Sequence, residues 1–219
     1  LLVASPANPT GTMLGRDELK ALADWAAETG AWLISDEVYH RVTFAAPAHC
    51  ALEFNDEAVV VNSFSKYYCM TGWRLGWMVV PERAAPRLEQ LAQNFFLCPS
   101  RPAQYAALEV FGCSNELDAR VAQYARNRQV MIDGLGAIGF PQIAPPDGAF
   151  YIYADAAPFT NDSVEFCRRM LLEAGVAAVP GTDFDSGEGQ TFVRFSTAGT
   201  QADAEAAVER LATWLGAES

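Results

Sequence analysis

The alternation of strand-like and helical patterns in residues 1–36 decides the fold class. These residues read LLVASPANPTGTMLGRDELKALADWAAETGAWLISD. Residues 1–5 and 31–35 are short apolar runs, typical of buried strands. Between them, residues 16–29 repeat their apolar side chains at helical spacing, and Gly30 stands where a helix would end. A strand, a helix and a second strand in this order predict a βαβ unit with parallel strands.

The same alternation continues along the chain. Apolar runs predict further strands at residues 58–62, 75–80, 149–154, 176–179 and 191–195. Helical patterns predict helices near residues 86–94, 102–111, 116–135, 163–174 and 201–215. We expect the cluster of Gly134, Gly136 and Gly139 to break the longest of them at about residue 135. The resulting prediction is an α/β protein in two domains, with a mostly parallel sheet and flanking helices in residues 1–115 and a small α+β domain in residues 116–219.

Composition excludes several classes of protein. The 219 residues are 51% hydrophobic and carry a formal net charge of −12, which predicts a globular chain without the basic surface that nucleic acid requires. Apolar runs fall far short of the roughly 20 residues of a membrane helix, so no membrane span is expected. Five scattered cysteines and two histidines indicate neither a disulfide framework nor a metal site, and a reducing cytoplasm fits this usage.

Three ionisable residues stand out on physical grounds. Asp36 ends an apolar run, at the sheet edge where ligands bind in open α/β folds. Lys66 follows a buried strand in a serine-rich turn, although lysines are usually solvated. Arg194 interrupts an apolar strand, where a guanidinium is costly unless it is paired. A helix cap, a surface lysine and a structural ion pair are the respective alternatives.

These residues belong to segments that recur in a known family. The segments are Ser5-Pro6-Ala7-Asn8-Pro9-Thr10-Gly11, Ser35-Asp36-Glu37-Val38-Tyr39, Ser63-Phe64-Ser65-Lys66 with Gly72-Trp73-Arg74-Leu75-Gly76-Trp77, and Arg194-Phe195-Ser196 after Val179-Pro180-Gly181. In this order and spacing they resemble the class I and II aminotransferases, enzymes of the type I fold that use pyridoxal 5'-phosphate (PLP). The resemblance runs through the whole chain.

The resemblance implies a catalytic role for three side chains. Lys66 would form an imine with the cofactor aldehyde and then move a proton as a base. Asp36 would keep the pyridine nitrogen protonated, which makes the ring an electron sink. Tyr39, together with Asn8, would donate a hydrogen bond to the ring oxygen. The family pattern also implies a cis peptide bond between Asn8 and Pro9.

Further residues are assigned to phosphate and substrate by the same resemblance. Arg74, Ser63 and Ser65 match the contacts to the cofactor phosphate, where a guanidinium forms charge-assisted bonds. A cation–π role of Arg74 between two tryptophans is the alternative. Arg194, with Asn8, matches the clamp on the substrate α-carboxylate. Asp185 stands after Phe184 where the family commonly has glycine, so the resemblance does not predict the conformation of this turn.

The implied function is transfer of an amino group between an amino acid and a 2-oxo acid by a ping-pong mechanism, in a cytoplasmic homodimer. A β-eliminating lyase of the same fold is an alternative, because the cofactor residues serve either reaction. A non-enzymatic effector-sensing domain of a transcription regulator is another, although it would need a basic DNA-binding module.

The start of the chain carries a separate expectation. It has no initiator Met and opens inside an apolar run. In the family, a segment before the Asn-Pro motif supplies a glycine-rich phosphate turn, an aromatic ring against the cofactor and much of the dimer interface. We therefore expect this chain to be a C-terminal portion that binds PLP weakly and shows little activity alone.

Overall fold

The computed structural model describes residues 1–216 and divides into two compact units. The first comprises Leu1–Pro6 and Met13–Ala119, and the second comprises Ala7–Thr12 and the chain from Arg120 onward. The division falls within the longest helix. The predicted domain boundary between residues 115 and 116 stays a prediction.

The first unit is built on a four-stranded sheet in the order β1-β2-β3-β4. The strands are β1 (Leu2–Ala4), β2 (Ile34–Asp36), β3 (Val59–Ser63) and β4 (Gly76–Val79). The first three run parallel, and β4 is antiparallel to β3. The predicted α/β class with a mostly parallel sheet is confirmed.

Helix α1 (Arg16–Thr29) connects β1 to β2 and has the predicted bounds. At its start the Gly15 N–H donates to Glu18 Oε2 at 2.7 Å. At its end Gly30 takes a left-handed conformation with φ 69°, which glycine adopts without the steric cost of a side chain. The buried face of α1, centred on Leu19, packs with Leu33 and Val60. Burying each such side chain contributes about 1.5–3 kcal/mol.

Two further helices, α2 (Ala85–Phe95) and α3 (Arg101–Val110), complete the first unit together with the start of α4 (Ser114–Ile138). Several of their large apolar side chains are exposed, as is the whole of β4. Phe95 is 76% exposed and Leu108 68% exposed. Exposed apolar surface of this kind is typical of faces that other protein segments cover.

The second unit holds a three-stranded antiparallel sheet in the order β5-β7-β6. The strands are β5 (Tyr151–Asp155), β6 (Val179–Pro180) and β7 (Phe192–Ser196). Outside β5, Ile143 forms an isolated bridge with Ala154. The helices are the rest of α4, α5 (Ser163–Arg169), which continues into a π turn at Met170–Ala174, and α6 (Gln201–Gly216). No helix in residues 1–216 is long and apolar enough to cross a membrane.

One face of this sheet forms the core of the second unit. Ile152 of β5 and Phe195 of β7 lie in one cluster with Leu135 of α4 and Leu211 of α6, and each is at most 2% exposed. Because side chains alternate along a strand, the residues between them, such as Arg194, lie on the other face.

Helix α4 ends three residues later than the expected end at about residue 135. The helix runs through Gly134 and Gly136 and ends at Ile138, after which Gly139 takes φ 112°. Gly134 serves helix packing instead, because a Cβ at this position would lie 2.4 Å from Val208 Cγ1 of α6. Gly136 has open space around it. A glycine that permits close packing and one that ends a helix are indistinguishable in the sequence pattern.

These two glycines allow a matched test of helix packing. We expect Gly134→Ala to lower the free energy of unfolding by about 1–3 kcal/mol, because the added methyl group overpacks the contact with Val208. Gly136→Ala should raise it by about 0.5–1 kcal/mol, through helix propensity alone. Urea unfolding of both variants measures the difference. Equal shifts of the same sign would contradict close packing at Gly134.

Candidate active site

The carboxyl ends of the three parallel strands of the first unit meet at one edge of the sheet. Asp36, the last residue of β2, is paired in register with Val61 of β3. The Glu37 N–H donates to the Val61 carbonyl at 2.9 Å, and the Ser5 N–H donates to the Asp36 carbonyl at 3.1 Å. These bonds hold the chain just beyond β1 and β2 in place, at the edge where polar residues were predicted.

A tight turn after β2 orients Asp36 and Tyr39. Asp36 Oδ1 accepts from the Val38 N–H at 3.1 Å, and the second carboxylate oxygen has no hydrogen-bond partner among residues 1–216. The Val42 N–H donates to the Tyr39 carbonyl at 2.7 Å, and the Tyr39 side chain is buried. Glu37 points elsewhere and accepts from the buried Ala51 N–H at 2.9 Å. One oxygen of the Asp36 carboxylate is thus available to a ligand.

The turn after β3 brings Lys66 to Tyr39. The Ser65 N–H donates to Ser63 Oγ at 3.0 Å, and the Cys69 N–H donates to the Lys66 carbonyl at 3.1 Å. The Lys66 amino group lies 5.3 Å from the centroid of the Tyr39 ring. The Lys66 amino group therefore lies over the Tyr39 ring, at the sheet edge that also carries Asp36.

The same segment contains two strained residues. Cys69 and Arg74 have φ of 56° and 52°, in the left-handed region that residues with a side chain rarely adopt. Each such residue costs about 1–2 kcal/mol, and residues of this kind cluster at functional sites. The strain coincides with the segment that carries Lys66.

Tyr67, next to Lys66, anchors this segment to other residues of the first unit. Its hydroxyl donates to Asp118 Oδ1 at 2.5 Å, and the Arg41 guanidinium lies 4.3 Å from its ring centroid. Burial, with a further contribution from Asp118, raises the pKa of the Tyr67 phenol to about 12. The phenol therefore stays protonated and keeps its bond to Asp118 at neutral pH, which fixes the residue that follows Lys66.

Arg74 lies exposed at the end of the same segment. Its Nη1 donates to the Thr71 carbonyl at 3.0 Å, which leaves its other N–H groups without a protein acceptor in residues 1–216. No stacking of Arg74 on Trp73 or Trp77 is found within that range, so nothing there supports the cation–π alternative.

The second unit brings together the two residues predicted to bind substrate. Arg194 Nη1 donates to Asn8 Oδ1 at 2.6 Å. Asn8 lies in a loop closed by the Gly148 N–H, which donates to the Gly11 carbonyl at 2.8 Å. The Asn8–Pro9 peptide bond is cis, as expected, and so is Ser5–Pro6.

Arg194 is partly buried and has no acidic partner among the described residues. Its guanidinium carbon lies 4.2 Å from the ring centroid of Tyr151 and 4.6 Å from that of Phe184. Its Nε is buried and has no hydrogen-bond partner there. A partly buried guanidinium without an acidic partner is costly, so this arrangement favours binding of an anion over a structural ion pair.

Sequence reasoning missed the two rings around Arg194. Tyr151 lies in the predicted strand of residues 149–154, but the sequence does not give the register that brings it to Arg194. Phe184 lies in an irregular segment, so no periodicity marks it. The turn left open at Asp185 is an ordinary one in which Asp185 Oδ1 accepts from the Gly187 N–H at 2.7 Å.

Comparison with known proteins agrees with this geometry. Residues 1–211 match the family model described as aminotransferase class I and II. The chain is 48% identical to the valine–pyruvate aminotransferase of Mycobacterium tuberculosis and 36% identical to the aspartate/prephenate aminotransferase of Thermus thermophilus. These alignments cover 98% and 99% of this chain, but only 56% of either relative.

A solved structure shows the same fold. The crystal structure of an aminotransferase from Mycobacterium tuberculosis superposes with a TM-score of 0.95 at 48% identity, over 99% of this chain and 57% of that one. The family match spans nearly the whole chain. The chain belongs to the class I and II aminotransferase family.

Proposed function

We propose that the protein is a PLP-dependent aminotransferase that moves an amino group between an amino acid and a 2-oxo acid. The observation that carries the proposal is the contact of the Lys66 amino group with Tyr39, at the sheet edge that also bears Asp36. Family membership supports it, since the relatives of known name are aminotransferases.

The residues of the first unit fit PLP by their chemistry. The cofactor offers an aldehyde, a basic ring nitrogen, a ring oxygen and a phosphate. Lys66 supplies an amine, Asp36 a carboxylate with an unpartnered oxygen, and Tyr39 a phenol donor. Arg74 has N–H groups without a protein acceptor among the described residues, as a phosphate ligand requires.

Asp36 and Tyr39 would tune the cofactor. When bound, PLP supplies an aldehyde that condenses with amines and a ring that accepts electrons from the substrate α-carbon. The Asp36 carboxylate would stabilise a proton on the ring nitrogen by charge pairing. The Tyr39 hydroxyl would donate to the ring oxygen from a buried position, where a hydrogen bond to an anion is worth most.

Lys66 would carry the cofactor and transfer the proton. Its amino group is a nucleophile when neutral, and once the substrate amine replaces it, it can remove the proton from the substrate α-carbon. Cys69 and Arg74, which follow Lys66 in the same segment, both have left-handed backbone conformations. Ser63 and Ser65 hydroxyls would assist Arg74 at the phosphate.

Arg194 and Asn8 would bind the substrate carboxylate. The Arg194 guanidinium has N–H groups that the described residues leave without an acceptor, and a carboxylate can accept two of them in one plane. Because an amino acid and a 2-oxo acid share this carboxylate, one site serves both halves of a ping-pong reaction.

L-Valine and pyruvate are the first substrates to test, because the name of the relative with 48% identity contains both. We further propose a homodimer in the cytoplasm. The exposed apolar side chains of α2 and α3 support association, since such surface is usually covered.

The assignment of Lys66 can be tested by trapping. Borohydride reduction of the PLP-loaded protein should bleach the cofactor absorbance and leave the label on Lys66. Lys20 is the only other lysine in the sequence, and it pairs with Asp24 at 2.6 Å. Lys20→Arg should keep labelling and transfer from L-valine to pyruvate, whereas Lys66→Arg should lose both. A label on Lys20 would overturn the assignment, and release of ammonia without an acceptor would indicate a lyase.

Asp36→Asn separates catalysis from binding. We expect turnover to fall by about a hundredfold or more, because an amide cannot stabilise the charged ring nitrogen. PLP affinity should change far less, because the phosphate ligands remain. Single-turnover kinetics and PLP titration measure the two quantities. A variant with wild-type turnover would exclude the electron-sink role.

Arg194→Lys tests the carboxylate clamp. A point charge cannot reproduce the two-pronged grip of a guanidinium, so we expect kcat/KM to fall by about tenfold or more for every amino acid. Both half-reactions should be affected alike. Loss confined to dicarboxylic amino acids would show that Arg194 contacts the substrate side chain instead.

A further inference from the structure

Tyr153 is a direct neighbour of Arg194 in the sheet of the second unit. Tyr153 of β5 is paired in register with Arg194 of β7, and residues directly opposite each other in an antiparallel pair share a face. Tyr151, two residues earlier, lies on the same face. Tyr153 is 8% exposed, so it lies within the layer that surrounds the guanidinium and not on the surface.

The Tyr153 ring packs on Phe192 of β7 and on Phe184 in the segment between β6 and β7. Its ring is stacked on Phe192 at 4.9 Å with an interplanar angle of 13°. It also meets Phe184 at 6.4 Å and 89°, an edge-on arrangement that aromatic pairs favour. Phe184 in turn contacts the Arg194 guanidinium. Tyr153 therefore supports, through one intermediate ring, the position of the cation.

The segment that bears Phe184 is closed at its base by two glycines. A Cβ on Gly189 would lie 2.5 Å from the Gly181 carbonyl carbon, so the backbones of the two residues are in contact. Phe184 stands inside this loop and Phe192 follows it. The backbone closure fixes the loop at its base, and the Phe184 side chain of the loop contacts both Tyr153 and Arg194.

The packing depends on the ring and not on the hydroxyl. Tyr153 Oη is buried and has no hydrogen-bond partner in residues 1–216. Burial, with a smaller contribution from Asp185, raises the pKa of this phenol, so it stays neutral at physiological pH. A buried hydroxyl without a partner costs about 1–3 kcal/mol. Its removal should therefore be tolerated.

We propose that Tyr153 is a positioning residue for substrate carboxylates: its ring holds Phe184 against Arg194 and so fixes the orientation in which the guanidinium meets the carboxylate. This rests on the proposed role of Arg194 in substrate binding. Tyr153 lies outside the motifs that carry the resemblance, and its ring packs on Phe184 and Phe192.

The test compares two probes, each of which is valine without one of its charged groups. Both are applied to the PLP-loaded protein expressed from its complete gene. Isovalerate has the carbon skeleton and carboxylate of valine without the amine, and isobutylamine has the skeleton and amine without the carboxylate. We expect Tyr153→Leu to weaken isovalerate binding and raise the KM of L-valine by about tenfold, in line with the loss of one cation–π contact. The kcat and the reaction with isobutylamine should stay within about twofold.

Two control variants isolate the effect. Tyr153→Phe keeps the ring and should restore wild-type binding of isovalerate. Phe159→Leu removes a ring that packs on Phe140 in the core of the same unit, and should lower stability without changing either probe. Isovalerate binding is measured by calorimetry and the reactions by cofactor absorbance.

The outcomes are distinct. Equal losses for isovalerate and isobutylamine in Tyr153→Leu would show a general structural defect and overturn the proposal. A Tyr153→Phe variant as weak as Tyr153→Leu would transfer the role to the hydroxyl and overturn it as well. If the wild-type protein binds isovalerate but transfers no amino group, the proposed function fails while the comparison of Tyr153 variants still decides this inference.

Discussion

The parallel register of β1, β2 and β3 is the constraint on which the candidate cofactor site depends. Parallel strands end at the same edge, and the bonds from Glu37 to Val61 and from Ser5 to Asp36 extend that alignment one residue beyond β1 and β2. Polar residues that are far apart in the sequence then share an edge. Lys66 reaches Tyr39 only because β3 ends beside β2.

The candidate carboxylate site depends on a different physical feature. It depends on a cation inside an aromatic layer, where the described residues provide only one hydrogen bond to the guanidinium, from Arg194 to Asn8. Rings orient the cation without neutralising it. A guanidinium that is held but not paired keeps its donors for a ligand, which a structural salt bridge would not allow.

Those features of the fold and of the candidate site that have a local sequence signal could be predicted. The bounds of α1 follow from amphipathic spacing and from Gly30, and Arg194 lies in a strand as the apolar run indicated. The packing role of Gly134 could not be predicted, because it depends on Val208, over seventy residues away. The contact of Arg194 with Phe184 could not be predicted either. Phe184 lies in no regular element, so no periodicity marks it.

The sheet that carries Arg194 is closed to lateral growth. At one edge, β6 has two residues, one of which is Pro180, and proline offers no N–H to a further strand. At the other edge, Ile143 already bridges Ala154, and the Asp155 N–H donates to the Gln142 carbonyl at 2.8 Å. Edge strands without free pairing groups resist recruitment by another chain. The strand neighbours of Arg194 are thus set within the unit, whatever other chain segments the protein assembles with.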